Sequence, residues 1–222
     1  MRIAVLGTGS VGRTLSGRFA ELGHDVTVGT RDVTATLGRE DWTAPPDTAL
    51  AAFAELPDDV ELFVDATSGA GAVDALRAVG ERRLSGRVVL DVSNPLDFSG
   101  GFPPTLSIAN DDSLGELIQR TFPDVRVVKA LNTVTASVMV NPSSLAGAHV
   151  LPLCGDDAEA KSVVGALLRE LGWPADALLD LGGIRAARSM EMYLPLWLSL
   201  MQALGTAEFN IGVVTGREGP SS

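Results

Sequence analysis

The sequence is poor in the residues that build several common kinds of site. It contains one cysteine and two histidines in 222 residues, so an intramolecular disulfide is excluded. Cys154 lies in an apolar run, which favours a small core residue over a reactive nucleophile. His24 lies in a turn and His149 begins a predicted strand, so we interpret both as structural. The sequence shows no metal-ligand cluster, no paired carboxylates and no Ser-His-Asp set.

Basic residues and long apolar runs are also scarce. Lys and Arg number 17 against 28 Asp and Glu, which gives a net charge of −11. A nucleic-acid partner is not expected, because phosphate binding needs clustered Lys and Arg. The longest apolar stretch, residues 192–204, is interrupted by Pro195 and is too short to span a bilayer, so no membrane partner is expected. Because the first strand begins at the N-terminus, no signal peptide is predicted, and we expect a cytoplasmic protein.

The most informative stretch is at the start of the chain. Residues 3–6 form an apolar run typical of a buried strand. Residues 7–12 read Gly-Thr-Gly-Ser-Val-Gly, and apolar residues then recur at helical spacing as far as Gly23, a typical helix end. Residues 25–28 resume strand character, and we expect this second strand to end at Val28. A strand, a GxGxxG turn, a helix and a second strand in this order predict a dinucleotide-binding unit.

The three glycines of the motif have different predicted roles. Gly7 makes the tight turn, Gly9 lets a pyrophosphate approach the backbone, and Gly12 lets the helix pack closely on the strand. The free N–H groups and the dipole at the start of the helix favour phosphate. This loop is therefore predicted to hold the pyrophosphate of the cofactor.

The residues after the second strand predict which dinucleotide binds. An acid at this point holds the ribose of NAD, whereas an Arg accommodates the 2′-phosphate of NADP. In NAD-binding proteins this acid lies about 20 residues after the glycine motif. Counted from Gly12, that distance leads to Asp32, which favours NAD. The strand, however, leads first to Thr30 and Arg31, a hydroxyl and a guanidinium that suit a phosphate. We therefore predict NADP(H), with Asp32 turned away or orienting Arg31.

The remainder of the chain alternates predicted strands and helices. We expect strands at residues 60–66, 87–92, 125–131, 149–154 and 177–181, an alanine-rich helix at 48–55, and a later helix capped by Asn110 or Asp111. This alternation predicts an α/β fold with a Rossmann-type, doubly wound, mostly parallel sheet. We divide the chain into a Rossmann NADP-binding domain, residues 1–183, and a C-terminal helical segment, residues 184–222.

The C-terminal segment differs in composition from the rest. Residues 184–204 are predicted to be helical with a kink at Pro195, and they are rich in Met, Leu, Tyr and Trp. This is more apolar surface than one peripheral helix needs, which favours a homodimer interface, an acceptor site, or both. The alternative is simple packing on the sheet.

Three further turns are expected beside the cofactor, because ligands of open α/β sheets lie across the carboxyl ends of the strands. The predicted residues of these turns are Ala66, Thr67, Ser68, Ser93, Asn94, Pro95, Asn132 and Thr133. Asn94 and Asn132 are the candidates to orient the nicotinamide or its partner. The alternative is ordinary turn chemistry, since Asn is common in turns. Lys129, inside a predicted strand, is interpreted as a lysine at the rim of the sheet, and the alternative is a role in orienting a turn or a phosphate.

Taken together, these motifs resemble a known family. The matching stretches are LGTGSVG at residues 6–12, VGTR at 28–31, DVSNP at 91–95, VVKALNT at 127–133 and LCGDDAEAK at 153–161. Over residues 1–211 the chain is similar to the NADPH-dependent deazaflavin (coenzyme F420) reductases. It is also similar to the cytosolic reductase domain of the six-transmembrane ferric reductases.

The resemblance implies a site and a reaction. It implies NADP(H) with its pyrophosphate along Thr8, Gly9, Ser10 and Val11, its 2′-phosphate on Thr30 and Arg31, and its nicotinamide bordered by the three turns. It implies coenzyme F420 or a flavin, FMN or FAD, as a second, stacked ligand that exchanges a hydride with NADP(H), and a dimer. Asn132 stands where the deazaflavin reductases carry a His, and this feature, like the SNP turn at 93–95, is closer to the ferric reductases.

Three functions stay open at this point. The first is an NADPH-dependent reductase of a deazaflavin or flavin. The second is an NADP-dependent dehydrogenase of a small carbonyl or imine, which would need a general acid beside the nicotinamide, and only Lys129 is a candidate. The third is a non-catalytic NADP(H)-binding module.

Overall fold

A computed structural model of the protein describes residues 1–216. In chain order its strands are β1 Arg2–Leu6, β2 Asp25–Thr30, β3 Thr48–Ala52, β4 Leu62–Asp65, β5 Val88–Asp91, β6 Leu96–Asp97, β7 Thr105–Leu106, β8 Arg126–Ala130, β9 Leu151–Cys154 and β10 Leu178–Asp180. The α-helices are α1 Ser10–Glu21, α2 Val33–Leu37, α3 Ala72–Val79, α4 Glu81–Leu84, α5 Leu114–Thr121, α6 Ala136–Val140, α7 Ala158–Glu170, α8 Ala187–Met192 and α9 Leu194–Leu204. Short 3-10 turns complete the regular structure.

Eight of these strands form one sheet in the order β10-β9-β8-β5-β4-β1-β2-β3. Every pairing is parallel except that between β8 and β9. The chain runs outward from β1 to β3 on one side and from β4 to β8 on the other. The strand order therefore reverses between β1 and β4, where a doubly wound sheet opens a ligand crevice. The predicted Rossmann-type fold class is confirmed.

The central strands are apolar because both of their faces are covered. In β1, Ile3 and Val5 belong to one buried cluster, whereas Ala4 and Leu6 belong to the cluster on the opposite face. Helices α1, α6 and α7 cover the first face, and α3 and α5 cover the second. A strand enclosed in this way needs an unbroken apolar run, which is the pattern that identified it.

Two sequence-based predictions near β2 and β3 were wrong. The predicted alanine-rich helix at residues 48–55 is the parallel edge strand β3, followed by a 3-10 turn at Phe53–Glu55. Its backbone pairs with β2 from Val26 with Thr48 onward, so tertiary pairing overrides the helix propensity of alanine. Strand β2 continues past Val28 to Thr30, since this pairing extends to its last residue.

The predicted cap of α5 was also wrong. Neither Asn110 nor Asp111 caps the helix; Ser113 does, and its Oγ accepts a hydrogen bond from Glu116 N at 3.1 Å. Ser113 Oγ also lies 2.8 Å from a carboxylate oxygen of Glu116. The S-x-x-E spacing is the capping-box signature, which the sequence contains at residues 113–116.

The C-terminal segment packs onto the sheet and then extends along it. Helices α8 and α9 meet at Tyr193, and Pro195 lies in the first turn of α9. The kink at Pro195 stays a prediction. Ile184, Ala187 and Met190 belong to the same buried cluster as β4 and β5. The division at residue 183 stays a prediction, and residues 217–222 of the predicted segment lie outside the described residues.

The outer side of α9 carries exposed apolar side chains. Leu196 is 55% and Leu204 is 57% exposed. The homodimer stays a prediction. Within residues 1–216, every helix is too short or too polar to cross a membrane.

Candidate functional site

A cleft of about 1070 Å³ opens at the carboxyl ends of β1, β2 and β4. It lies on both sides of the point at which the strand order reverses. Of the residues predicted for the cofactor, those that line the cleft are Gly7, Thr8, Gly9, Thr30, Arg31, Ala66, Thr67 and Ser68. Ser10, Val11 and Gly12 form the first turn of α1 directly behind the loop.

The geometry of the glycine loop fits a pyrophosphate. Gly7 has φ +122°, and a Cβ there would lie 2.6 Å from Ala66 O. A Cβ on Gly12 would lie 2.1 Å from Gly7 O, whereas a Cβ on Gly9 would meet nothing within 4 Å. Gly7 and Gly12 are thus required by the packing of the protein itself, while Gly9 faces the space in which a ligand can approach the backbone.

The start of α1 leaves its N–H groups available. Gly9 is the N-cap and offers no side-chain hydrogen bond, and no acidic residue occupies the first turn. An uncapped helix start beside an open glycine loop attracts an anionic group. The residues present therefore fit the diphosphate of a dinucleotide.

The tip of β2 presents a hydroxyl, a cation and an acid to the cleft. Thr30 is buried, and its Oγ1 lies 2.7 Å from Thr36 Oγ1. Asp32 caps α2, because its Oδ1 accepts a hydrogen bond from Ala35 N at 2.9 Å. This bond occupies one oxygen of the carboxylate, and Asp32 also lines the cleft beside Arg31. Arg31 is exposed and lines the cleft, so the tip presents a cation to the cofactor.

A second arginine in the cleft was missed by the sequence reasoning. Arg39 Nη1 donates to Thr8 Oγ1 at 2.9 Å, which ties the segment after α2 to the glycine loop. Its Nε and Nη2 bond the two carboxylate oxygens of Asp41 at 2.9 and 2.7 Å. Arg13 Nη1 donates a hydrogen bond to the main-chain carbonyl of Asp41 and so holds the same segment. Residue spacing carries no signal for Arg39, because only the folded loop brings it to Thr8.

The turns after β4 and β5 are built in the same way. Asp65 Oδ1 accepts hydrogen bonds from Thr67 N and Thr67 Oγ1 at 3.1 and 2.7 Å. Asp91 Oδ1 accepts the equivalent bonds from Ser93 N and Ser93 Oγ at 2.9 and 2.6 Å. The repeated Asp-x-Thr/Ser pattern fixes both turns locally.

The turns after β5 and β8 are locked to each other by the two predicted asparagines. Asn94 Nδ2 donates to Asn132 O, and Asn132 Nδ2 donates to Asn94 Oδ1, both at 2.9 Å. Asn132 Nδ2 also bonds Met190 O at 3.2 Å. Leu131, which precedes Asn132, has φ +66°, a conformation unusual for a residue other than glycine. Such strain at a turn is often associated with a functional site.

Asn132 keeps one buried polar atom free. Its side chain is almost fully buried, and Oδ1 has no hydrogen-bond partner among the described residues. Buried acceptors are normally satisfied, so an orphan at the carboxyl edge suggests that a ligand donates to it. Ser93, Asn94, Pro95, Asn132 and Thr133 do not line the large cleft. The turn after β5 packs against the turn that does, because a Cβ on Gly69 would lie 2.1 Å from Asn94 O. Pro95 is buried, and its carbonyl accepts from Ser107 N at 2.8 Å.

A second, apolar cavity of about 200 Å³ lies beside Thr133. Its walls come from β9, β10, α8 and the extended chain after α9. Two hydroxyls at its wall, Thr133 Oγ1 and Tyr193 OH, have no partner among the described residues. Together with Asn132 Oδ1, they are three unsatisfied polar atoms at the β8 end of the carboxyl edge.

The other reactive side chains lie elsewhere. Cys154 is buried, and burial raises the pKa of its thiol to about 12, which agrees with a core residue. His24 is bound by Glu170 at 2.8 Å, and His149 packs edge-on against Trp173. Across residues 1–216, no group of His, Cys, Asp or Glu is arranged to hold a metal ion.

Comparison with known proteins agrees with this geometry. The family model for NADP oxidoreductase, coenzyme F420-dependent, matches residues 2–95. A crystal structure from Arthrobacter sp. FB24, assigned to the F420-dependent NADP reductases, is 51% identical, with a TM-score of 0.93 over 97% of this chain and 100% of that one. The chain belongs to the coenzyme F420-dependent NADP oxidoreductase family. It is an NADP-dependent oxidoreductase.

More distant relatives fall in both groups suggested by the motifs. The F420-dependent NADP reductase of Methanothermobacter marburgensis is 28% identical over 214 residues, which is 90% of this chain and 92% of that protein. The rat metalloreductase STEAP3 is 28% identical over 210 residues, 92% of this chain. This family member spans 39% of the length of STEAP3, so that likeness concerns one part of the larger protein.

Proposed function

We propose that the protein transfers a hydride between NADP(H) and a stacked deazaflavin of the coenzyme F420 type. The observation that carries this proposal is the interlocked pair of Asn94 and Asn132, whose one free acceptor, Asn132 Oδ1, lies at the β8 end of the carboxyl edge, where the proposal puts the nicotinamide. NADPH, when bound, supplies a hydride and leaves as NADP⁺, and the acceptor ring takes that hydride together with one proton from solvent.

The phosphate end of the site supports NADP(H) as the donor. Arg31 is exposed to the cleft, and the carboxylate of Asp32 is used to cap α2. A guanidinium that meets a phosphate forms charge-assisted hydrogen bonds, which are stronger than neutral ones. The chain thus supplies affinity at one end of the cofactor and orientation at the other.

Orientation is the main task of the residues at the nicotinamide end. Ring-to-ring hydride transfer depends on the placement of two flat groups and needs no protein acid at the reacting carbon. The Asn94 amide bonds both the main-chain carbonyl and the side chain of Asn132, and the Asn132 amide nitrogen also bonds Met190 O. Neither side chain can therefore rotate without breaking two hydrogen bonds. The free Oδ1 of Asn132 can then accept from an amide or ring N–H at a fixed position.

The alternative of carbonyl or imine reduction lacks its general acid. Lys129, the candidate from the sequence, is fully buried and donates to Asp91 and to Ser93 O. It cannot reach a substrate, and its interpretation as a rim lysine was wrong. Burial raises the pKa of Tyr193, the other proton-bearing group beside the edge, so it holds its proton rather than giving it up.

The apolar cavity beside Thr133 supports a flat, largely apolar second ligand. About 200 Å³ accommodates part of a ring system, with the rest of the molecule outside. Thr133 Oγ1 and Tyr193 OH can each form a hydrogen bond with polar atoms at the edge of such a ring.

The test is anaerobic NADPH oxidation with coenzyme F420, FMN, FAD and a set of simple carbonyls and imines as separate acceptors. We expect turnover with coenzyme F420. It is measured as the simultaneous loss of the absorbance of NADPH and of the oxidised deazaflavin. In Asn132→Ala, kcat should fall about 10- to 100-fold, since small misplacements of reacting groups cost this much.

Asn141→Ala is the matched control, because Asn141 is exposed and bonds only its own turn. It should keep the kcat of the wild type. Turnover with flavins alone would replace the deazaflavin by a flavin, and turnover with carbonyls alone would favour the dehydrogenase. Tight NADPH binding without oxidation by any acceptor would indicate the non-catalytic module.

A further inference from the structure

A row of ionisable side chains crosses three neighbouring strands just inside the carboxyl edge. The strand register sets Asp65 of β4 beside Asp91 of β5, and Asp91 beside Lys129 of β8. All three are 0% exposed. Glu191 of α8 completes the group, because its Oε1 lies 2.9 Å from Lys129 Nζ. Burying ionisable groups costs free energy even when they are paired. A buried cluster of four such side chains is therefore expected to have a function.

Lys129 holds the turn after β5 from two directions. Its Nζ donates to Asp91 Oδ2 at 2.8 Å and to Ser93 O at 2.7 Å. Asp91 in turn fixes Ser93 through the backbone N–H and the hydroxyl. Ser93 immediately precedes Asn94, so Lys129 and Asp91 together fix the position of the backbone from which the Asn94 side chain extends.

Glu191 joins the C-terminal helix to this cluster. Its Oε2 accepts from Leu114 N at 2.8 Å, and its Oε1 accepts from Gly115 N at 3.0 Å as well as from Lys129. The same carboxylate therefore satisfies the first free N–H groups of α5 and one side of the lysine. It is 1% exposed, so these bonds are shielded from water.

The cluster and the asparagine pair touch consecutive residues. Met190, which precedes Glu191, accepts the second hydrogen bond of Asn132 Nδ2 at 3.2 Å. Lys129 thus reaches Asn94 through Ser93, and the helix that carries Glu191 reaches Asn132 through Met190. A shift of α8 would move both asparagines.

We propose that Glu191, acting through Lys129 and Asp91, is a positioning residue for the hydride-transfer site and makes helix α8 a structural part of it. This inference rests on the hydride transfer proposed above. Glu191 touches neither cofactor nor acceptor. Its role is to keep the Asn94–Asn132 pair in register with the nicotinamide, while the phosphates are held elsewhere.

A second ion pair between the same two helices provides a control. Arg188 of α8 bonds both carboxylate oxygens of Glu116 of α5 at 2.7 Å. This pair also fastens α8 to α5, but among the described residues neither side chain forms a hydrogen bond or ion pair with Lys129 or with the asparagine turns. Removing it should lower the stability of the fold, while Glu191 still holds α8 against α5 and the buried row keeps its arrangement.

The experiment compares Glu191→Gln with Arg188→Met in the full chain. In Glu191→Gln we expect kcat with the working acceptor to fall about 10-fold or more, while the Kd for NADPH stays within about twofold of the wild type. The enhanced fluorescence of bound NADPH should also decrease, since the nicotinamide is less firmly held. Arg188→Met should lose thermal stability and keep both the kcat and the fluorescence.

Equal kcat and equal bound-NADPH fluorescence in Glu191→Gln and the wild type would overturn the inference, as would equal losses in the two variants. Should Glu191→Gln not fold, Glu191→Asp keeps the charge and shortens the reach, and the same split between kcat and Kd is expected. The fluorescence of bound NADPH needs no acceptor. A wild type without turnover therefore refutes the proposed function, while the fluorescence still decides the role of Glu191.

Discussion

The carboxyl edge of the sheet has one half at β2 and another at β5 and β8. The charged side chains are exposed in the first half and buried in the second. On the β2 side the arginines face water: Arg31 is exposed, and the side chain of Arg39 is 38% exposed. On the β8 side Asp91 and Lys129 are 0% exposed, and Asn132 is 3% exposed. Both halves are polar, but only on the β2 side are the charged groups open to water.

The difference separates affinity from position. Exposed guanidinium groups can adapt to a phosphate, and water and salt screen their interactions. Buried partners have one arrangement, and losing one of them leaves the others without compensation. Substitutions on the β2 side should therefore change the Kd for the cofactor, and substitutions on the β8 side should change stability and turnover.

The largest effect is expected from removing the buried cation. Lys129→Met leaves the carboxylates of Asp91 and Glu191 buried without it, and breaking such a cluster costs about 3–5 kcal/mol of unfolding free energy. Urea unfolding measures this loss. Lys161→Met is the matched control, because Lys161 pairs with Asp180 at 2.8 Å in a partly exposed position, and it should cost at most about 1 kcal/mol. Equal losses in the two variants would contradict the contrast between buried and exposed charge.

The second effect depends on pH and concerns Asp65. Burial, and then the charge of Asp91, raises the pKa of Asp65 from 3.8 to about 7. A carboxyl whose folded pKa is raised destabilises the fold progressively as the pH rises from about 4 to about 7. Asp65→Asn should thus gain stability relative to the wild type by about 2–3 kcal/mol between pH 5 and pH 8, as roughly two units of the shift lie in this range.

Asp97→Asn gives the opposite sign and serves as the comparison for Asp65. Asp97 Oδ1 accepts from Ser99 N at 2.8 Å in a similar turn, but the hydrogen bonds from Ser99 lower its pKa. A lowered folded pKa stabilises the fold fully above the unfolded pKa of about 4, and this stabilisation is lost only as the pH falls below that value. Asp97→Asn should therefore be less stable than the wild type by the same amount at pH 5 and at pH 8. Urea unfolding at pH 5 and pH 8 measures both variants. A gain in Asp65→Asn that does not depend on pH would show that Asp65 is ionised in the fold at pH 5.

The open half of the edge could be predicted from the sequence, and the buried half only in part. The glycine loop and Thr30-Arg31 act within one strand–helix–strand unit, so their roles follow from local order. Asn94 and Asn132 were found because each follows a strand of a parallel sheet. Their mutual lock and the free Oδ1 depend on the register of β5 and β8, which no local pattern determines.

Lys129 shows why the buried half was misread. A lysine inside an apolar strand is normally placed at the rim, because a lone buried charge is too costly. Asp91 lies 38 residues away in sequence and Glu191 belongs to another helix, so the partners that make burial possible were not visible. The same reason explains β3, whose pairing with β2 overrides its alanine content.

The third prediction concerns the exposed arginine at the tip of β2. Arg31→Ala should weaken NADPH binding by about 1.5–3 kcal/mol, the value of hydrogen bonds to a charged group. This corresponds to roughly one to two decades in Kd. NADH, which lacks the 2′-phosphate, should bind as before, and the folded protein should keep its stability. Fluorescence titration with both nucleotides measures the effect. An unchanged preference for NADPH would remove Arg31 from the 2′-phosphate site.

The smallest effect is expected from Arg39. Its guanidinium already bonds Thr8 Oγ1 and the carboxylate of Asp41. Few of its N–H groups are therefore free to donate a hydrogen bond to a phosphate. Because Thr8 belongs to the glycine loop, Arg39→Ala should weaken NADPH and NADH alike, by about 1 kcal/mol or roughly fivefold in Kd. Asp41→Asn, which releases Arg39 from its carboxylate, should instead tighten both. If Arg39→Ala weakened the binding of NADPH but not of NADH, Arg39 would belong with Arg31 at the 2′-phosphate. Two arginines on the β2 side would then bind the same phosphate group.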